Sequence, residues 1–397
     1  MTLGPDAVIG VVGSGAMGIG IAQVAAVKGH QVVVADMTPQ AIARARSSHR
    51  TALDREVDKG RMTRAAADAT LGRLSYVQGA GEIDLAPFKT CSLVIEAIIE
   101  DAATKRALFA ELQPLLGPDA ILATNTSSLS VALLASACRD ASRVVGIHFF
   151  NPAPVMPLVE VVPAITTSPK VTAAAFALVR SWGKTVVVAS DTPGFIVNRI
   201  ARPFYGESLR ILEEGIADCA TIDWALRELG GFRMGPFELM DFIGNDINYA
   251  VTTSVFEAMY YDTRYRPALT QRRLVEAGLL GRKSGRGYYD YRDGAPLAPA
   301  PTQDEALGRR IVDRVLAMLV NEAADALHMR VASALDIDLA MTKGVNYPKG
   351  LLAWGDEIGA ATILARLEAL QAEYGEDRYR PSPLLRRVAA AKGRLVG

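Results

Sequence analysis

The chain has 397 residues, half of them hydrophobic, enough for about two or three domains with sizeable cores. Its 43 basic residues balance 43 acidic ones with no Lys/Arg-rich run, which argues against nucleic acid or an anionic membrane as the main partner. Cys91, Cys138 and Cys219 are odd in number and far apart, so neither a disulfide framework nor a metal site is expected, and a reducing cytoplasm suits them.

The first strand is expected to start by Ala7, with no charged leader region ahead of it. The apolar run 8–27 is broken by glycines and carries Gln23, so it is not a membrane span. A β-rich run at 7–12 leads straight into Gly13-Ser14-Gly15-Ala16-Met17-Gly18, then a helical pattern over 19–28, then a second strand over 32–35 closed by Asp36. A bare GxGxxG says little; between a strand and a helix, with an acid at the end of the next strand, it reads as a dinucleotide fingerprint. Gly13 permits the tight turn, Gly15 lets a pyrophosphate approach the backbone, and Gly18 allows close helix–strand packing. The N–H groups at the start of the helix, from Ala16 and Met17 on, would bind phosphates. Asp36 would accept from ribose hydroxyls and repel a 2′-phosphate, which favours NAD over NADP. The competing reading is a tight strand–helix turn with no ligand.

Residues 38–74 read as a surface helical pair and 93–99 as a buried strand ending at Glu100, with Lys105 on the helix that follows. Another strand, 120–123, carries a polar cluster at its carboxyl end, Thr124 to Ser128. Ligands of open α/β sheets gather at such ends, so Asp36, Glu100, Ser127 and His148 are candidates for one crevice. Ser127 or Ser128 could instead simply cap a helix over 129–137.

The run 144–147 ends on His148, a Pro-broken loop follows, and the apolar run 158–162 holds a single carboxylate, Glu160. A lone Glu in LVEVV is costly to bury unless paired, and His148 is the nearest suitable partner. A carboxylate on one ring nitrogen of a histidine fixes the tautomer and leaves the other as a general base. Alternatively, Glu160 faces solvent on an edge strand. A strand at 185–189 is expected to close this part.

From Asp191 the pattern turns helical, with a helix expected from residue 193 to about Gly215, kinked at Pro203 and carrying Asn198 in its first turns. An Asn there is usually solvent-facing. Arg202, four residues on, shares its face. Residues 294–305 are Pro-rich and polar, a linker by composition. Beyond it the chain repeats itself: a shift of 115 residues aligns 196–244 with 311–359 without a gap and with 13 identities in 49 positions, among them Arg199/Arg314, Glu207/Glu322, Asp223/Asp338 and Gly244/Gly359. This reads as a duplicated helical domain. The second copy has Asp313 in place of Asn198, which points to packing or assembly rather than a second active centre.

The motifs VIGVVGSGAMGIGIAQVAA, LVIEAIIED, TNTSSL, GIHFFNPAPVMPLVEVV, DTPGFIVNRI, MGPFELMDFIG and GRKSGRGYYDY together resemble the 3-hydroxyacyl-CoA dehydrogenase family over nearly the whole chain. NRIARPFYGESLR, KGVNYPKGLLAWG and EYGEDRYRP are similar to its bacterial branch acting on 3-hydroxyadipyl-CoA in phenylacetate degradation. The resemblance implies a Rossmann-type NAD-binding domain over 1–189, a helical C-terminal-type domain over 190–291, a linker over 292–305 and a second, degenerate helical domain over 306–397. It implies His148 as catalytic base with Glu160 orienting it, and Ser127 and Asn198 on the substrate's hydroxyl and thioester carbonyl. Asp36, Glu100, Lys105, Asn151 and Lys283 fall at cofactor-contact positions and Lys59 at a CoA-contacting one. Arg202 would meet a distal carboxylate on the acyl chain, or else pair with a surface carboxylate. Relatives with one helical domain associate through it, so homo-oligomers through the helical domains are expected unless the second copy covers that surface. The alternatives are 3-hydroxybutyryl-CoA or general fatty 3-hydroxyacyl-CoA as substrate, a β-hydroxyacid dehydrogenase with a catalytic Lys, and, more remotely, a non-catalytic NAD-binding protein.

Overall fold

The computed structural model describes residues 3–79, 81–295 and 299–396; residues 296–298 of the expected linker lie outside them. The chain forms two compact units, 1–192 and 193–397.

The first unit is built on one eight-stranded sheet in the order β3-β2-β1-β4-β5-β6-β7-β8. Its strands are β1 Ile9–Val12, β2 Val32–Asp36, β3 Leu74–Gln78, β4 Leu93–Glu96, β5 Ile121–Thr124, β6 Val144–Phe149, β7 Leu158–Pro163 and β8 Thr185–Val188. All neighbours run parallel except β6 and β7. The helices are α1 Ala16–Val27, α2 Pro39–Asp58, α3 Arg64–Gly72, α4 Ala102–Leu112, α5 Val131–Ala135 and α6 Pro169–Ser181. Short Val/Ile-rich strands such as β1, β4, β5 and β6, buried at every position, are what a sheet covered on both faces requires. Strand order reverses between β1 and β4, so the crevice at their carboxyl ends is where such a fold receives a ligand.

Three local expectations shift. The run expected as strand to residue 99 leaves the sheet after Glu96, whose carboxylate turns back to accept from the Ile98 N–H at 2.8 Å. The helix expected over 129–137 is only α5, and its cap is not Ser127 or Ser128. Ser130 accepts from the Leu133 N–H, and the Asp191 carboxylate takes the N–H groups of Val131 and Ala132. The helix expected from residue 193 begins at 197, because Gly194 (φ 76°) and Phe195 (φ 47°) occupy the left-handed region. It consists of α7 Val197–Ile200 and α8 Arg202–Glu213, interrupted where Pro203 has no N–H to give.

The second unit continues with α9 Cys219–Trp224, α10 Pro236–Ile243, α11 Asn245–Ala258, α12 Leu269–Glu276, α13 Glu305–His328, α14 Ala334–Gly344, α15 Leu351–Ile358, α16 Ala360–Tyr374 and α17 Pro383–Ala390. The repeat is visible atom by atom. Asp223 accepts from the N–H groups of Phe237 and Glu238, and Asp338, 115 residues on, accepts from those of Leu352 and Ala353. Gly235 and Gly350 hold the same close approach: a Cβ on either would lie 2.3 Å from the matching Asp.

The two copies exchange ion pairs. Arg199 of the first reaches Glu322 of the second at 2.6 Å, and Arg314 of the second reaches Glu207 of the first at 3.0 Å. Around each Glu stand an Arg and a Tyr: Arg264 and Tyr265 on Glu322, Arg378 and Tyr379 on Glu207. Residue i of one copy meets j of the other while j meets i, the signature of a two-fold interface, here closed within one chain.

Candidate active site

The β1–α1 turn is shaped by what its glycines allow. Gly13 has φ 99°, and a Cβ on it would sit 2.5 Å from the Ala97 carbonyl oxygen; one on Gly18 would overlap the Gly13 carbonyl at 1.8 Å. Gly15 is the opposite case, with nothing within 4 Å of a Cβ, so its face is open to a ligand. Asp36, at the end of β2, accepts from the Ser14 N–H at 2.7 Å and hydroxyl at 2.8 Å, which fixes the carboxylate beside the turn. Gly13, Gly15, Asp36, Ile98, Ile99 and Leu108 help line a cleft of about 730 Å³. A glycine turn with an open face, the uncapped N-terminus of α1 and an anchored acid beyond it fit a dinucleotide.

A second polar group sits at the ends of β4 and β5. Glu96 is fully buried and takes the Lys105 ammonium at 2.5 Å and the Thr124 hydroxyl at 2.7 Å. The same ammonium lies 3.1 Å from Glu100, whose carboxylate also accepts from the Thr126 hydroxyl and the Ser127 and Ser128 N–H groups. Burial acts to raise the Glu100 carboxyl, but Lys105 and these donors outweigh it and hold the group below its ordinary value. Lys105, expected to contact cofactor, is itself 1% exposed. Its ammonium is shared between the two acids, Glu96 and Glu100. Glu96 and Asn125 were not singled out in the sequence. Asn125 accepts from the Phe149 N–H at 2.9 Å, tying the end of β5 to the end of β6.

His148 and Glu160 face each other in direct register across the antiparallel β6–β7 pair, and His148 Nδ1 is 2.7 Å from Glu160 Oε2. β7 is an interior strand and Glu160 is fully buried, so the edge-strand alternative does not hold. The carboxylate favours the Nδ1–H tautomer and leaves Nε2 as the acceptor. Asn151 follows at once in the exposed turn after β6. Lys59, at the end of α2, lines a different cleft of this unit, about 780 Å³, together with Lys28, Arg55, Arg61 and Lys184. Lys184 donates to the carbonyls of Ala153 and Met156, holding the loop after Asn151.

In the second unit Asn198 is half-buried on α7, and Lys283 pairs with Asp246 at 2.6 Å. Arg202, at the head of α8, is 6% exposed. Four other arginines are buried, Arg199, Arg264, Arg314 and Arg378, and each meets a carboxylate. Among the described residues Arg202 meets none, so the surface ion pair does not form. Its Nη1 donates to the Thr252 hydroxyl at 3.0 Å, its guanidinium lies 5.0 Å from the Tyr205 ring centroid, and its Nε has no partner. Burial pulls its pKa down, the direction expected of a cation without a counter-ion.

No helix among the described residues is long and apolar enough to cross a membrane, and no group of acids, histidines and cysteines among them could hold a metal ion.

The family model described as 3-hydroxyacyl-CoA dehydrogenase, NAD binding domain, matches residues 8–192, and that of the family's C-terminal domain matches 194–291 and again 311–395. A protein of Escherichia coli (strain K12) named 3-hydroxyadipyl-CoA dehydrogenase is 40% identical over 96% of this chain and 97% of its own. The crystal structure of a 3-hydroxybutyryl-CoA dehydrogenase from E. coli K12 superposes with a TM-score of 0.90 at 39% identity, covering 97% of this chain and 98% of that one. That of (S)-3-hydroxybutyryl-CoA dehydrogenase from Ralstonia eutropha gives 0.68 at 37%, covering 72% of this chain and 99% of its own. A Rossmann-type domain followed by two matches to one helical domain, at this identity and coverage, makes the chain a member of the 3-hydroxyacyl-CoA dehydrogenase family and an NAD-dependent oxidoreductase.

Proposed function

We propose that the protein oxidises the L-3-hydroxyacyl-CoA that carries a second carboxylate at the far end of its chain, 3-hydroxyadipyl-CoA, as a cytoplasmic step of phenylacetate degradation. The observation that carries the substrate is Arg202: a buried guanidinium with no carboxylate of its own among the described residues is costly unless something anionic arrives. The E. coli relative's name points the same way.

In the reaction, Nε2 of His148 takes the proton of the 3-hydroxyl, and the Glu160 carboxylate on Nδ1 stabilises the imidazolium that results. Bound NAD supplies the hydride acceptor. Ser127 and Asn198 hold the substrate's hydroxyl and thioester carbonyl, while Glu100, fixed by Lys105, Thr126 and two backbone N–H groups, orders the segment that carries Ser127. Asn151 and Lys283 contact the cofactor. The basic cleft with Lys59, Lys28 and Arg61 suits the phosphates of coenzyme A. The second reading, 3-hydroxybutyryl-CoA, is favoured by the names of the two solved relatives, but its short acyl chain leaves Arg202 unexplained.

The test is kcat/KM, followed by NADH absorbance, on 3-hydroxyadipyl- and 3-hydroxybutyryl-CoA for the wild type and Arg202→Leu. Loss of a charge-assisted bond costs about 1.5–3 kcal/mol, so the dicarboxylic substrate should lose about 10- to 150-fold while the short one holds or gains. Equal losses on both would make Arg202 structural and remove the support for the adipyl reading.

A further inference from the structure

We propose that the second helical copy takes part in substrate selection: the phenol of Tyr347, in the segment between α14 and α15, donates the remaining hydrogen bond to the distal carboxylate that Arg202 receives. This deepens the substrate reading above and rests on it.

Tyr347 is 5% exposed and its hydroxyl has no hydrogen-bond partner among the described residues. A buried orphan hydroxyl near a buried, unpaired cation is an unusual pair of costs in one place. The two are joined by a short run of aromatic contacts. The Arg202 guanidinium stands over Tyr205; the Tyr205 ring lies 5.5 Å from Phe204, and Phe204 lies 5.7 Å from Tyr347. The charge of Arg202 acts on the Tyr347 phenol, although burial, the larger influence, pushes that phenol well above its ordinary value. The hydroxyl therefore stays protonated and can donate.

The donors complement one another. Thr252 occupies Nη1 of Arg202 and in turn donates to the Asn248 carbonyl at 2.9 Å, which fixes the guanidinium. The edge left is Nε–Nη2, two parallel N–H groups that match the two oxygens of a carboxylate. A carboxylate oxygen accepts more than one hydrogen bond, and a phenol approaching from the side supplies the next.

The repeat shows that the hydroxyl is a departure from internal symmetry. Position 347 corresponds to position 232 under the 115-residue shift, and that residue is Phe232. The two equivalent rings touch, centroids 5.0 Å apart, so they meet at the two-fold relation between the copies. Two identical copies would place the same side chain on both sides. In one chain the sides are free to differ, and here only the second carries a hydroxyl. Packing alone would be satisfied by Phe at both.

The experiment is Tyr347→Phe in the full-length chain, assayed on 3-hydroxyadipyl- and 3-hydroxybutyryl-CoA beside Arg202→Leu and the wild type. Tyr347→Phe should lower kcat/KM on the dicarboxylic substrate about tenfold, mainly through KM, with no loss on the short one and no fall in melting temperature. An unchanged ratio between the two substrates, or an equal loss on both, overturns the role of Tyr347. If the ratio is unchanged while Arg202→Leu abolishes a wild-type preference for the dicarboxylic substrate, only this inference fails. A wild-type enzyme that prefers 3-hydroxybutyryl-CoA overturns the substrate reading and this inference together.

Discussion

Replacing Glu160 by Gln removes one charge and keeps the shape of the pair it forms with His148. The strands hold residues 148 and 160 opposite each other, the contact is 2.7 Å, and position 160 is fully buried. The amide can still accept from Nδ1–H, but it no longer stabilises the imidazolium formed as the substrate's proton arrives. Presented the other way round, its NH₂ group donates to Nδ1 and selects the tautomer whose Nε2 cannot accept a proton. Hydrogen bonds to charged groups are worth about 1.5–3 kcal/mol, which corresponds to a fall in kcat of about 10- to 150-fold. The complete burial puts the expectation in the upper part of that range. His148→Ala should lose more, up to the 10²–10⁴-fold order of a general base, while retaining NADH. The assay is acetoacetyl-CoA reduction followed by NADH absorbance, with NADH fluorescence titration as the binding control. A Glu160→Gln enzyme within about twofold of wild type, against the 10- to 150-fold loss worked above, would show that the pair is structural and refute the mechanism.

Asp36→Ser should narrow the preference for NAD over NADP at least about tenfold, by removing a negative charge where a 2′-phosphate would lie; equal use of both cofactors by the wild type would contradict this. Glu322→Gln should destabilise the second unit by about 1.5–3 kcal/mol, since Arg199 and Arg264 lose one of the two acids they share and keep only Asp325, at 3.0 and 3.1 Å. Burial acts to raise the Glu322 carboxyl, but the two arginines hold it below its ordinary 4.5. The stability it contributes is therefore fully present above pH 4.5 and is lost as pH falls through its depressed folded value. Thermal melting of wild type and variant across the carboxylate range should give a shallower acid limb for Glu322→Gln, and parallel limbs would be inconsistent with the pairing.

The parts of the site that were legible in the sequence are those where one residue type conflicts with its surroundings. Three glycines between a strand and a helix, or a single Glu in an apolar strand, carry a cost that only a particular geometry relieves, and Gly13, Gly18 and Glu160 are found in that geometry. Glu96 was missed because an acid at the end of a strand is unremarkable on its own; only the approach of Lys105 and Thr124 gives it meaning. The capping of α5 was misplaced because its acid, Asp191, lies about sixty residues away, beyond any local pattern. The repeat revealed the second copy but not its exchange of ion pairs, since identity between Arg199 and Arg314 says nothing of which Glu each will meet.

The exchanged ion pairs have a consequence for dilution. Two separate chains meeting through such a surface obey mass action, and their folded population falls as the protein becomes scarce. With both surfaces on one chain, each always has its partner, whatever the concentration of the protein. Closure of this surface is then independent of how much enzyme a cell makes. A unimolecular melting transition, with a midpoint that does not move with protein concentration, is its signature.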